Sequence, residues 1–132
     1  MVASCFKHPF SKLGASPTSE NVPKRNIILV GHDVTADINY LKTIGYDVHN
    51  LSNLQELADT AVMWRYMTRD VNPRNLGTVL AELDIIGWNL HNAGNDAAYT
   101  LQAMVKIAIK HLDDRKKMKE TKEKETRERI AE

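Results

Sequence analysis

Residues 26–30 read NIILV, a short unbroken apolar run rich in β-branched side chains, and Gly31 follows at once. Such a run is too short for a helix and suits a strand buried on both faces of a sheet. Asp33 then offers a carboxylate to the free amides of a first helical turn, and Gly45 supplies a left-handed stop. Between them Val34, Ile38, Leu41 and Ile44 recur at helical spacing and make one apolar face. Strand, glycine turn and capped helix form an α/β unit, so the expected fold class is α/β.

The rest of the chain divides around this unit. Residues 1–25 carry Ser, Pro, Gly and Lys with little periodicity and read as a flexible leader. Residues 54–68 fit either one helix or a short strand closed by Asp59-Thr60 with a helix starting near Ala61; the second is preferred. Asn72-Pro73 breaks the chain. Leu76, Val79, Leu80 and Leu83 then mark a helix of roughly ten residues, and residues 86–90 a loop. The strongest pattern runs over residues 93–112, where Ala97, Leu101, Met104, Val105, Ala108 and Leu112 predict a core-facing stripe. Residues 113–132 hold eight basic and seven acidic groups and almost no apolar ones, which predicts a solvated or frayed helical tail. The expected organisation is a leader (1–25), one α/β domain (26–112) and a charged tail (113–132).

Composition excludes several functions. With 42% hydrophobic and 27% charged residues in 132, the chain suits one soluble domain rather than a disordered segment. No apolar run approaches the roughly 18–20 residues of a membrane span, so no membrane partner is expected. Lys7, His8 and Lys12 interrupt any signal-peptide core, and Cys5 stands alone, which together suit the cytoplasm or nucleus. Net charge is +1, and no broad basic surface of the kind that grips duplex DNA is present. A nucleic acid would need a local site.

Two segments concentrate groups able to hold metal or move protons: GHDVTADINYL at 31–41 and HNAGNDAAYTLQ at 91–102. Both fall at predicted helix starts. Asp37, one turn after Asp33, borders the expected buried face, where a carboxylate loses hydration and needs a partner. The plainer possibility is that Asp33 and Asp37 merely favour the positive helix end. His91 precedes its helix and Asp96 lies in the first turn, so the two could face one cleft. Histidine is the usual proton acceptor near neutral pH, although a lone one before a helix is more often a hydrogen-bonded structural residue. His32 is expected to pack or cap.

Together these phrases resemble the second and third motifs of the DEDDh 3′-to-5′ exonucleases of the ribonuclease H-like superfamily, over about residues 26–110. The closest resemblance is to a fungal branch related to a factor that supports an mRNA-export DEAD-box helicase. The resemblance implies that Asp37 and Asp96 are metal-binding aspartates, that His91 is the general base, and that Mg2+ or Mn2+ is the cofactor. Two cations about 3.5–4 Å apart would bind the scissile phosphate, one activating water and the other steadying the leaving oxygen. Single-stranded RNA or DNA is the implied substrate.

The family's first motif, Asp-x-Glu on the central strand, does not occur here. Two carboxylates stand where four are implied, and cations that depend on carboxylate charge would be held weakly. The first strands of the ribonuclease H-like sheet have no counterpart either, so a partial fold with a helical tail is expected, its strand edge open to self-association or to a partner chain. A truncated gene product, a mispredicted gene or a remnant duplicate would each look like this. The expected function is a truncated or degenerate exonuclease domain, weak or inactive alone. Alternatives are a non-catalytic nucleic-acid or protein binding module, whose binding ignores magnesium, and an exonuclease that borrows ligands from another chain. A phosphohydrolase using His32-Asp33 conflicts with the strand at 26–30, and there is no G-x-S-x-G elbow for an α/β-hydrolase.

Overall fold

The computed structural model describes residues 25–131. Almost all of the expected leader lies outside the described residues. Seven elements follow in order: β1 (Ile27–Gly31), α1 (Val34–Thr43), one 3-10 turn (Val48–Asn50), β2 (Leu54–Asp59), α2 (Thr60–Thr68), α3 (Leu76–Glu82) and α4 (Ala93–Ala131). The molecule is mixed α/β, with a two-stranded parallel sheet and one long C-terminal helix. The strand-then-helix alternative for residues 54–68 is the one that forms, with the boundary at Asp59-Thr60.

β1 and β2 run parallel, Ile27 opposite Leu54 and Gly31 opposite Asp59, with a register shift after Ile27. Parallel neighbours need a crossover, and α1 supplies it. Gly31 is required by close approach: a Cβ there would lie 2.6 Å from Val34 Cβ. Val34 is fixed at the start of α1, so it has little room to retreat. Gly45 holds φ 85° after the helix, as expected of a left-handed stop.

Three expectations need correction. β1 is not buried on both faces: Ile28 is 56% exposed, since its side of the sheet lacks a covering layer among the described residues. Asp33 stands at the N-cap of α1 but with φ 59° and no side-chain cap bond; the carboxylate that caps α1 comes from Asp59, on the next strand. The buried face of α4 is also rotated from the expected one. Thr100, Ala103 and Ile107 are buried, whereas Leu101 is 52% and Leu112 56% exposed. The turn of the helix is decided by what it meets, since α4 packs on α2, α3 and β1.

The main core therefore lies among helices. Trp64 from α2, Val79 and Leu80 from α3, Leu83 just after it, and Ala103 and Ile107 from α4 form one buried cluster, flanked by Met63, Met67, Leu90 and Tyr99. Lys106 reaches from α4 to donate to the Leu83 carbonyl at 2.6 Å, satisfying an acceptor at the end of α3. Asn75 caps the start of α3 by accepting from the Thr78 N–H at 2.8 Å. Beyond Leu112, α4 continues through the charged segment to Ala131, with its residues exposed. At 39 residues the helix is about 58 Å long. Among the described residues no helix is long and apolar enough to cross a membrane.

Candidate active site

Open parallel sheets gather their functional groups where strands end at their carboxyl side. Here those ends meet in a dense polar knot. Asp59 Oδ1 accepts from the Asp33 N–H at 3.0 Å and the Ala61 N–H at 2.9 Å, and Oδ2 from the Val34 N–H at 3.1 Å. One carboxylate thus caps two helices and joins the ends of both strands. Beside it, buried Thr60 donates its hydroxyl to the Gly31 carbonyl at 3.1 Å and lies 2.9 Å from His32 Nδ1. His32 Nε2 donates to the Arg74 carbonyl at 2.8 Å, since a carbonyl can only accept. His32 packs and bridges, as expected of it. A cleft of about 440 Å³ opens here, bordered by His32, Asp59, Arg65, Arg74 and Asn75.

Asp59 commits both carboxylate oxygens to backbone amides, which makes it a structural anchor. Its signal in the sequence was only the Asp-Thr pair closing a strand; that it would cap a helix 26 residues earlier could not be read locally. Arg74 is held by Asp70, Nε to Oδ2 at 2.7 Å. The Asn72 N–H, and then the Arg74 guanidinium, hold the Asp70 carboxyl below its usual range, and Asp70 in turn raises Arg74.

The third-motif turn is equally well built. Asn92 accepts from the N–H groups of Gly94 and Asn95 at 3.1 and 3.3 Å and so caps α4. Asp96 accepts the His91 N–H on Oδ1 at 3.1 Å. Asn95 donates to the Asn89 carbonyl, and the Tyr99 hydroxyl accepts from the Trp88 N–H. His91 has φ 73° and Asn89 φ 48°, uncommon for residues with a Cβ. Backbone held in this region by surrounding bonds often marks a working site. The His91 ring is exposed and makes no hydrogen bond among the described residues, which leaves it open to water or ligand.

Asp96 is thus tied to His91 through the His91 backbone N–H. Asp37, in contrast, does not border the buried face as expected: it is exposed on α1, because Val34 and Ile38 take the buried side and Asp37 falls outside their stripe. Its carboxylate has no partner among the described residues. No group of three or more His, Cys, Asp or Glu side chains able to hold a metal forms among the described residues. Magnesium demands about six oxygens in near-octahedral array. Asp37 and Asp96, with one oxygen of Asp96 already committed to His91, do not fit a two-cation centre by themselves.

Comparison with known proteins places this arrangement. The chain is similar to an uncharacterized nucleolar protein of the fission yeast Schizosaccharomyces pombe, 33% identical over 89 residues, which cover 64% of this chain and 37% of the yeast protein. The chain thus spans little more than a third of that relative's length. A fungal relative accords with the fungal branch that the motifs resemble. Residues 1–107 match the family described as DNA polymerase III subunit epsilon-like, C-terminal domain, of the DEDDh class. By that match over most of its length, the chain belongs to this DEDDh family and is exonuclease-related in origin.

Proposed function

We propose that this chain is the later half of a ribonuclease H-like, DEDDh-type 3′-to-5′ exonuclease domain, and that by itself it hydrolyses nucleic acid weakly or not at all. The observation that carries this reading is an intact third-motif turn, His91 N–H on Asp96, beside a donor set too small for the cations that the chemistry requires. In the complete site Asp37 and Asp96 would contribute metal-binding carboxylates, and His91, its ring open to solvent, would take the proton of the attacking water. Mg2+ or Mn2+ would supply the charge that neutralises the phosphate. Further carboxylates must then come from another polypeptide segment. Among the described residues the outer edge of β1 is unpaired and offers a place for it, because such an edge recruits a neighbouring strand, whether from a partner chain or a second copy. The nucleolar description of the yeast relative favours the nucleus over the cytoplasm for this chain.

The test is digestion of 5′-labelled single-stranded RNA and DNA by the purified chain with manganese. No ladder is expected. A metal-dependent ladder shortening from the 3′ end, and abolished by Asp96→Ala, would overturn the proposal of inactivity. Restored digestion on adding a polypeptide with an Asp-x-Glu strand would identify the missing carboxylates.

A further inference from the structure

A second cleft lies away from the strand ends. It lies between α2 and the part of α4 that leaves the core, with a volume of about 820 Å³, and none of Asp37, His91 and Asp96 borders it. Tyr66 projects from α2 into this cleft 80% exposed, and the His111 ring of α4 stands 6.5 Å away, tilted by 58°. An aromatic ring this bare contributes nothing to the core. Three guanidinium groups surround it, Arg65 and Arg69 from α2 and its C-cap, and Arg115 from α4. None of the three is in an ion pair among the described residues. Of the two acids on the cleft wall, Asp70 is bonded to Arg74 and also feels the charge of Arg65, so two carboxylates face three cleft arginines and one of the two is already bonded elsewhere.

Stacking surface and unpaired arginines side by side are the two parts of a single-strand platform: a ring for a base face, cations for the backbone. We propose that the cleft between α2 and α4 binds single-stranded nucleic acid, one base lying on Tyr66 and the phosphates following Arg65, Arg69 and Arg115. Duplex is disfavoured because its bases are already stacked. Arg65 and Val62 also border the cleft at the ends of β1 and β2. The two clefts share that wall, so a strand held on Tyr66 can continue toward the strand ends. This binding needs no metal and goes beyond the exonuclease reading.

Fluorescence anisotropy of the full chain with fluorescein-labelled oligouridylate and oligothymidylate of about 12 nucleotides, in EDTA, separates the two proposals, since no metal-dependent cleavage can occur. Both probes are expected to bind, and to bind more weakly as salt rises. Tyr66→Ala should weaken binding roughly tenfold, whereas Tyr66→Phe, which keeps the ring, should restore it. Arg115→Gln and Arg69→Asn, the latter suited to the left-handed backbone at 69, should each lower the logarithmic salt dependence by about 0.7. Circular dichroism of each variant confirms the helices. Absence of binding by the folded chain would overturn the inference and leave the digestion assay to decide the enzyme. So would oligoglutamate competing as well as the oligonucleotides with no effect of Tyr66→Ala, which would mark a groove for acidic peptides.

Discussion

The helical layer and the sheet differ in how completely each satisfies itself. Trp64, Val79, Leu80, Ala103 and Ile107 close over one another among α2, α3 and α4. β1 has a strand on one side and leaves Ile28 more than half in solvent. Stability therefore resides in the helices, while the two-stranded sheet is joined at its carboxyl end by the polar bonds of Asp59 and Thr60.

Substitutions can break this comparison. Trp64→Ala removes the largest side chain of the core and should cost about 3–5 kcal/mol, enough to abolish cooperative urea unfolding followed by circular dichroism. Ile28→Ala in the same assay should cost less than about 1 kcal/mol, as a half-exposed contact gives up little burial. Equal losses would mean that β1 is covered in solution. Next in size is Gly31→Ala, whose new methyl meets Val34 and should destabilise by about 1–3 kcal/mol in thermal melts. Asp59→Ala strips the caps from α1 and α2, with an expected loss of about 1–2 kcal/mol; Asp59→Asn should recover part of it, and no recovery would argue against the shared-cap role.

The smallest effect is electrostatic. Asp70 has its carboxyl lowered in the folded chain by the Asn72 N–H and by Arg74. Its contribution to stability is present above the ordinary carboxylate range and is lost as pH falls through the lowered folded value. Solvent screening keeps it small. Melting temperatures of the wild type and Asp70→Asn should therefore differ slightly at neutrality and converge in acid; a gap that widens on acidification would reverse the assignment.

Local chemistry was legible along the chain. The run at 26–30, the Gly31 turn, the left-handed Gly45 and the Asp59-Thr60 boundary all follow from backbone sterics and short-range hydrogen bonding, and each appears where the residues placed it. Asp96 was readable as a first-turn residue of the long helix, with His91 just before it. Asp37 was misread, since its nearness to Val34 and Leu41 in sequence did not reveal which side of α1 would be covered.

What residues 93–112 determined alone was a helix; which side of it is buried was decided only on docking. Apolar groups occupy more than one flank of α4, so periodicity permits two faces, and contact with α2, α3 and β1 selects Thr100, Ala103 and Ile107. The capping of α1 has the same origin. Asp33 was the nearest carboxylate in the polymer, but strand pairing sets Gly31 opposite Asp59, and proximity in space gives the bond to the distant residue.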